Sequence, residues 1–255
     1  MPLVVHNIPA FTDNYIWLFH QQGDTDAILV DPGDSTPVIE ALEQLGLQLH
    51  AIIVTHHHPD HVGGIDRLLQ KFSVPVYGPM GVPQVTYIMK DGDTLNLGGT
   101  SFEVLAVPGH TLDHLAYFSD SEPLVFCGDT LFAAGCGRLF EGTPEQMWAS
   151  LSRLAALPTN TKIFCTHEYT EANIKFALAV EPDNSLLQQR SRQVAQQRKQ
   201  LQPTLPSILS EELSTNPFLR ANQKSIKDAA ERHCGHPTTS ETEVFSVIRQ
   251  WKDSF

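Results

Sequence analysis

Thr55-His56-His57-His58-Pro59-Asp60-His61 is the most distinctive stretch of this sequence. It places four of the chain's 12 histidines and one carboxylate side by side. An apolar, β-branched run at residues 51–54 precedes it and predicts a buried strand, and apolar residues at helical spacing follow it. The histidines therefore lie on a turn between a strand end and a helix start, where side chains can converge on one point.

The spacing within this stretch is typical of a metal site. His56 and His58 are two residues apart and point the same way in an extended chain, while Asp60 and His61 follow the turn. Imidazole and carboxylate groups bind zinc, iron and manganese. Four imidazoles and a carboxylate are too many for one tetrahedral ion, which favours two ions side by side. The alternative is a surface histidine cluster that scavenges metal incidentally.

Further candidate ligands also stand at the ends of predicted strands. His110, Asp129 and His167 each follow an apolar run that predicts a strand, and open α/β architectures build their sites at such strand ends. Asp129 is the candidate able to bridge two ions, because a carboxylate has two oxygens. Asp31, at the end of an earlier strand, is expected to form a turn or to support a ligand, with a distant ligand as the alternative. His114 is expected to be structural or to support a ligand.

Composition narrows the classes of protein and of partner. A hydrophobic content of 41% is ample for a core, and the net charge of −12 argues against the basic face that nucleic-acid binding needs. No window reaches the length of a membrane span, and no signal peptide is visible. The four cysteines are widely spaced and are expected to be reduced thiols. We expect a cytoplasmic monomer with a small-molecule substrate and no nucleic-acid or membrane partner.

The secondary-structure pattern changes near residue 170. Before it, predicted strands alternate with helices, which indicates an α/β domain over residues 1–169. After it, helical segments dominate, which indicates a helical domain over residues 170–255. The last helix has its apolar residues, from Val244 to Trp251, on one core-facing stripe.

Helix starts are predicted at three places by their capping residues. Thr36 is expected to cap the first helix. Thr143 with Gln146, and Ser240 with Glu243, have the spacing of capping boxes, in which each side chain bonds the other residue's backbone amide.

Taken together, these motifs resemble the metallo-β-lactamase superfamily and, within it, the glyoxalase II (hydroxyacylglutathione hydrolase) branch. The T-H-x-H-x-D-H pattern is the specific superfamily signal, and the resemblance covers essentially the whole chain. The motifs that support it are Thr12-Asp13-Asn14-Tyr15, Thr55 to His61, Pro108-Gly109-His110-Thr111, Gly128-Asp129-Thr130-Leu131-Phe132, Gly135-Cys136-Gly137-Arg138, His167-Glu168-Tyr169-Thr170, Asn216-Pro217-Phe218-Leu219-Arg220 and Arg249 to Phe255. The helical C-terminal part and its tail narrow the resemblance to this branch.

The resemblance implies an α/β fold, an αββα metallo-β-lactamase sandwich with a C-terminal helical domain, that holds two divalent ions. Zinc is expected, and iron or manganese would accept the same ligands. The implied ligands are His56, His58 and His110 for the first ion, Asp60, His61 and His167 for the second, and Asp129 as the bridge. Asp60 and Asp129 are thereby the candidate catalytic residues. His57 is not a ligand in this scheme and is expected to be packed or hydrogen-bonded behind the site.

The family's glutathione-binding positions fall on Arg138, Tyr169, Arg249 and Lys252. Arg249 and Lys252 lie three apart on one flank of the last helix and would offer exposed charges to the glutathione carboxylates. The alternative for this pair is a solvated basic edge at a helix C-terminus. Phe140 is a departure, because relatives can have a tyrosine there. The missing hydroxyl predicts a lost hydrogen bond and weaker affinity, although the ring can still pack on the substrate.

The implied activity is hydrolysis of the thioester in S-(2-hydroxyacyl)glutathione, chiefly S-D-lactoylglutathione, to glutathione and D-lactate in methylglyoxal detoxification. A hydroxide bridging the two ions would attack the thioester carbonyl, and glutathione would leave as a thiolate without a dedicated general acid. The alternatives are a persulfide dioxygenase with one iron, a lactonase or β-lactamase of the same superfamily, and a non-catalytic metal-binding protein. Cys127 and Cys136 are expected to be buried thiols rather than nucleophiles.

Overall fold

The computed structural model describes residues 2–255, so Met1, where the predicted α/β domain begins, lies outside the described residues. The chain divides into two compact units that interleave along the sequence. The first comprises Met1–Ala106, Asp113–Gly128 and Phe164–His167, and the second comprises Val107–Leu112, Asp129–Ile163 and Glu168–Phe255. The predicted domain boundary at residues 169 and 170 stays a prediction.

The elements alternate between strand and helix through the first two thirds of the chain and are mostly helical thereafter. The strands are β1 (Leu3–Ala10), β2 (Asn14–Gln21), β3 (Asp26–Val30), β4 (Gln48–Ile53), β5 (Val76–Gly78), β6 (Tyr87–Ile88), β7 (Thr94–Leu97), β8 (Thr100–Ala106), β9 (Leu115–Ser119), β10 (Leu124–Gly128), β11 (Leu131–Phe132), β12 (Gly135–Cys136), β13 (Lys162–Cys165) and β14 (Ser207–Ile208). The helices are α1 (Ser35–Leu45), α2 (Pro59–Val62), α3 (Ile65–Lys71), α4 (Pro144–Ala155), α5 (Thr170–Val180), α6 (Ser185–Lys199), α7 (Leu209–Thr215), a 3₁₀ turn at Pro217–Leu219, α8 (Lys224–Cys234) and α9 (Glu241–Ser254).

The first sheet of the first unit has the strand order β1-β2-β3-β4-β5-β6. Pairing is antiparallel from β1 to β3 and parallel from β3 to β6. Strand β2 is buried on both faces, and its side chains alternate between them. Ile16 and Leu18 pack in one apolar cluster with residues of α1 and α3. These two helices therefore cover one face of the sheet.

The second sheet of this unit orders its strands β13-β10-β9-β8-β7, with β13 entering the unit at Phe164. Phe19 of β2 contacts Phe102 and Phe126, with ring centroids 5.5 and 5.4 Å apart, and Trp17 packs edge-on against Phe164 at 4.9 Å. Buried aromatic pairs of this kind contribute about 0.5–1.5 kcal/mol each beyond their area. The two sheets thus form a sandwich with an aromatic core, as the α/β prediction requires.

Helix α1 begins earlier than its sequence predicts. Asp34, not Thr36, is the N-cap, and its carboxylate accepts a hydrogen bond from the Thr36 amide. The prediction that Thr36 caps the helix is therefore wrong, because Asp34 accepts from the Thr36 amide and so makes Thr36 part of the first helical turn. The helix ends at Gly46, which adopts φ 67° at the C-cap.

The second unit confirms one capping box and half of the other. Thr143 and Gln146 make both reciprocal bonds at the start of α4. At the start of α9, the Ser240 hydroxyl accepts from the Glu243 amide, but the Glu243 carboxylate accepts from the Thr239 amide and hydroxyl instead of from Ser240. The carboxylate thus caps one residue farther upstream than a capping box would.

The predicted stripe of α9 lies in the core of the second unit. Val244 and Ile248 are buried, and Trp251 packs edge-on against Phe176, which stacks in turn on Phe218 at 5.8 Å. Among residues 2–255, no helix combines the length and the apolarity that crossing a membrane requires.

Candidate metal centre

Two neighbouring parallel strands of the first unit deliver the first part of the site. Strands β3 and β4 pair with Val30 opposite Ile53, so the residues that follow them meet at one sheet edge. The Asp31 carboxylate accepts from the Thr55 amide and from the Thr55 hydroxyl, both at 2.7 Å. Asp31 is 2% exposed, and these bonds orient it away from a ligand's role. Asp31 therefore holds Thr55, the residue before the first candidate ligand, and its support of a metal ligand stays a prediction.

The single-turn helix α2 then separates the next two candidates. Pro59 occupies its first turn, where its missing amide costs nothing. One helical step turns His61 inward, where it is fully buried, while the Asp60 side chain remains 40% exposed. A water molecule can therefore reach Asp60 from solvent, whereas His61 faces only protein.

Asp60, His61 and His167 form a compact group within the first unit. Each offers one ligand atom, and these atoms lie within 4.8 Å of one another. Asp60 Oδ2 lies 3.6 Å from His61 Nε2 and 3.4 Å from His167 Nε2. Two atoms that each bind one zinc ion at 2.0–2.1 Å with tetrahedral angles are about 3.3 Å apart. The spacing of this group therefore fits a single divalent cation.

The outer ring nitrogens of these histidines are held by carboxylates. His61 Nδ1 lies 3.0 Å from Asp31 Oδ2, and His167 Nδ1 lies 2.8 Å from Asp13 Oδ1. An ionised carboxylate only accepts hydrogen bonds, so each Nδ1 has the proton and each Nε2 presents its lone pair. Asn14 donates to Asp60 Oδ2 at 3.0 Å and orients that carboxylate as well. Such supporting bonds set tautomer and orientation in metal sites.

The sequence did not predict the contacts of Asp13 and Asn14, which lie at the turn between β1 and β2. Both appear only within the motif Thr12-Asp13-Asn14-Tyr15 of the family resemblance. Their partners lie 154 residues away, for Asp13 with His167, and 46 residues away, for Asn14 with Asp60. Only that motif signalled a function for this turn.

His56 and His58 lie beside this group in the same unit. Their nitrogens Nε2 and Nδ1 are 3.1 Å apart, again close to the spacing of two ligands on one ion. The Thr55 hydroxyl donates to Asp31 and so accepts from His56 Nδ1, at 3.0 Å. The His114 ring stacks on His56 with centroids 4.5 Å apart, so His114 packs directly against a candidate ligand.

His57 turns away from its neighbours. Its Nδ1 lies 3.0 Å from an oxygen of Asp113, and its side chain is about one third exposed. This confirms that His57 is hydrogen-bonded beside the candidate ligands. The alternation of side chains in extended chain explains why His56 and His58 face one way and His57 the other.

The second unit contains the other two candidate ligands, His110 and Asp129. His110 Nε2 lies 3.4 Å from Asp129 Oδ2, and both residues are about 5% exposed. His110 Nδ1 donates to the Arg138 carbonyl at 2.9 Å, so its Nε2 also presents a lone pair. The Phe140 ring packs edge-on against His110 at 5.2 Å and is itself 63% exposed. In both units, therefore, a hydrogen-bond partner at Nδ1 orients the candidate ligand, and this holds for His56, His61, His110 and His167.

The predicted substrate residues of the second unit differ in exposure. Arg138 is 63% exposed at its side chain and lies 3.5 Å from Asp253. Tyr169 is 37% exposed and packs edge-on against Phe132. Lys252 donates to the Ala172 carbonyl, and burial lowers the pKa of its ammonium group. These side chains retain surface that a ligand can reach.

Arg249 is buried, so the expectation that it offers an exposed charge is wrong. It is 4% exposed, its Nη1 donates to the Cys136 carbonyl at 2.9 Å, and its Nη2 donates to Asp253 at 3.0 Å. The guanidinium lies over the Phe218 ring at 5.0 Å. Helical spacing could not reveal this, because the aromatic partner comes from a separate segment.

Cys127 and Cys136 are buried free thiols, as expected. Burial raises the pKa of Cys136 to about 11, although the adjacent Arg249 opposes the shift. A thiol with this pKa is protonated at neutral pH and is a poor nucleophile.

Two family models together match residues 11–255 of the chain. Residues 11–167 match the family model described as metallo-beta-lactamase superfamily, and residues 168–255 match the model described as hydroxyacylglutathione hydrolase C-terminus. A hydroxyacylglutathione hydrolase from Pseudomonas aeruginosa (strain LESB58) is 51% identical over 252 residues, which cover 97% of this chain and 98% of that protein. The chain belongs to the hydroxyacylglutathione hydrolase family.

Solved structures agree with the fold of this hydroxyacylglutathione hydrolase family member. ETHE1 from Myxococcus xanthus superimposes with a TM-score of 0.69 at 22% identity, covering 97% of this chain and 91% of that chain. TTHA1623, solved in a di-iron-bound form, gives a TM-score of 0.55 at 30% identity over 64% of this chain and 92% of its own. The predicted metallo-β-lactamase sandwich with a C-terminal helical domain is thereby confirmed.

Proposed function

We propose that this protein hydrolyses the thioester bond of S-(2-hydroxyacyl)glutathione, chiefly S-D-lactoylglutathione, to release glutathione and D-lactate. The proposal is supported by family membership along the whole chain and by a cluster of histidines and carboxylates that can bind metal ions. The observation on which it depends most is the group of Asp60, His61 and His167, whose ligand atoms have the spacing that one cation needs.

The proposed cofactors are two divalent ions, with zinc expected and iron or manganese as alternatives. Asp60, His61 and His167 would bind one ion. His56, His58 and His110 would bind the other, and Asp129 would bridge the two. The di-iron form of TTHA1623 supports two ions in this family. When bound, such ions supply Lewis acidity and lower the pKa of a water toward neutrality.

The protein's own residues prepare this chemistry by orientation. Asp31 and Asp13 hold His61 and His167 in one tautomer, and Asn14 fixes the carboxylate of Asp60. Since Asp60 is partly open to solvent, we assign it, with Asp129, the task of orienting the water that attacks the acyl carbon. The carbon–sulfur bond then breaks and glutathione departs as a thiolate, whose low basicity removes the need for a general acid.

Substrate binding is assigned to the accessible side chains of the second unit. Arg138 and Lys252 would pair with the glutathione carboxylates, and Tyr169 and Phe140 would pack on the peptide. Arg249 would contribute indirectly, because its bond to the Cys136 carbonyl holds the segment that leads to Arg138. Because the Arg138 side chain is 63% exposed, water weakens such a contact, and an exposed pair of charges typically contributes about 0.2–1 kcal/mol.

The second group of candidate ligands and the basic residues of α9 argue against the rival activities. A dioxygenase with one iron needs a single set of ligands, whereas this chain has a second group that fits a cation of its own. A lactonase or β-lactamase has no use for basic residues at the end of α9. We further propose that the protein acts in the cytoplasm as a monomer.

The test is a substrate panel assayed on one metal-loaded preparation. S-D-lactoylglutathione should be hydrolysed at a high rate, while a lactone, a β-lactam and glutathione persulfide with oxygen should react slowly or not at all. Oxygen consumption with the persulfide, in the absence of thioester cleavage, would replace the proposal with the dioxygenase. Metal binding without turnover of any substrate would leave a non-catalytic metal-binding protein.

A further inference from the structure

The β11–β12 hairpin of the second unit determines where two candidate metal ligands lie. Asp129 lies just before β11, and Arg138 lies just after β12. Between them, the Gly137 amide donates to the Thr130 carbonyl at 3.1 Å and so joins the two ends of the hairpin. A Cβ on Gly137 would stand 2.0 Å from the Asp129 carbonyl oxygen, so only glycine fits there. The Arg138 carbonyl in turn accepts from His110 Nδ1. A displacement of the hairpin would therefore move Asp129 and release His110 together.

The turn of this hairpin adopts a conformation that its sequence disfavours. Ala134 has φ 53°, in the left-handed region where an alanine Cβ crowds the backbone. Its amide donates to Glu212 Oε2 at 2.8 Å, and the preceding carbonyl, of Ala133, accepts from Asn173 at 3.0 Å. Side chains of the helical segment thus hold the turn in place of a glycine.

Glu212 lies at the centre of a buried polar network that fits this turn. Its carboxylate is fully buried and pairs with Arg190, which is 3% exposed. Asn216 donates to Glu212 Oε2 and to the carbonyls of Phe132 and Gly135, at 2.9–3.1 Å. Buried networks of satisfied polar groups select one conformation, because any other arrangement leaves desolvated groups without their bonds. Burying these polar groups costs free energy, and several of their hydrogen bonds are made to the hairpin.

We propose that Glu212 is a positioning residue for the metal centre, acting through the Ala134 amide and the hairpin on Asp129 and His110. The inference rests on the proposed function only in taking these two residues as ligands. It predicts that loss of the Glu212 carboxylate weakens metal binding and slows turnover at saturating substrate. KM should change little, because the substrate-facing side chains are left in place.

Glu212→Ala is the test, because it leaves no side-chain acceptor for the Ala134 amide, and Glu181→Ala is its matched control. Glu181 is a second buried carboxylate of the same unit, bonded to Arg220, Asn184 and Ser225, none of which belongs to the hairpin. Zinc affinity, measured by competition with a chromophoric chelator, should fall at least tenfold in Glu212→Ala and less than twofold in Glu181→Ala. With S-D-lactoylglutathione, kcat should fall at least tenfold only in the first variant. Both variants should lose thermal stability.

Equal zinc affinity and kcat in the two variants would overturn the positioning role and leave Glu212 merely structural. Adding Ala134→Gly to Glu212→Ala should restore part of the zinc affinity, because glycine adopts the left-handed turn without help. If Glu212→Ala fails to fold, Asn173→Ala, which removes the bond to the Ala133 carbonyl, should lower zinc affinity about threefold; an unchanged affinity would count against the proposal. If the unaltered protein binds zinc but does not cleave the thioester, the proposed function fails while the affinity comparison still decides the positioning role.

Discussion

Replacing Asp13 by alanine removes the carboxylate behind His167, and the predicted consequence is weaker binding of one metal ion of the two. The His167 Nδ1–Asp13 Oδ1 bond is 2.8 Å long, and His167 is almost fully buried. Loss of such a supporting partner typically lowers metal affinity 10- to 100-fold, which corresponds to about 1.4–2.8 kcal/mol. Because the Asp13 side chain is 35% exposed, solvent weakens the contact, and we expect the lower end, about tenfold.

The assay is metal titration against a competing chelator, followed by turnover at fixed free metal. Asp26→Ala is the control, since Asp26 also faces a histidine, His50, at 3.6 Å, but both side chains are about half exposed and lie outside the site. The control should leave metal affinity and turnover within twofold. Unchanged metal affinity in Asp13→Ala would refute the reasoning that this carboxylate prepares His167 for a cation.

Further substitutions test the substrate contacts and the thiol. Arg249→Ala should raise KM about tenfold and lower the melting temperature, because it removes a charged hydrogen bond to the buried Cys136 carbonyl; an unchanged KM would remove Arg249 from substrate binding. Phe140→Tyr should lower KM severalfold by supplying a hydroxyl worth about 1 kcal/mol, and a higher KM would contradict that assignment. Cys136→Ser should keep kcat/KM within threefold across pH 6–9, since a thiol with a pKa of about 11 is roughly 0.1% ionised at pH 8; loss of a basic limb in the pH profile would show that the thiol takes part.

Local patterns predicted the fold and most candidate ligands. The strand before Thr55 and the turn after it are determined by neighbouring residues, so their placement follows from sequence spacing alone. The Thr143 capping box was predictable for the same reason. The Asp34 cap and the shifted bond of Glu243 show the limit of such patterns, because more than one polar side chain near a helix start can bond a nearby backbone amide.

Long-range contacts could not be predicted from these patterns. Asp13 is assigned to the site only by a partner 154 residues away, and Arg249 is buried only because Phe218 and the Cys136 carbonyl come from other segments. Glu212 looks like an ordinary acidic residue in a short helix, and nothing in its sequence neighbourhood indicates that it is fully buried beside Arg190. Tertiary structure, not propensity, decides the environment of such charges.

The most direct test of the central claim measures bound metal and cleavage of S-D-lactoylglutathione on the same sample, before and after chelation. We expect two equivalents of divalent metal per chain, loss of turnover when they are removed, and its return when zinc is restored. Full turnover by metal-free protein would contradict metal-dependent hydrolysis, and a single bound equivalent in a fully active sample would contradict the proposed pair of ions.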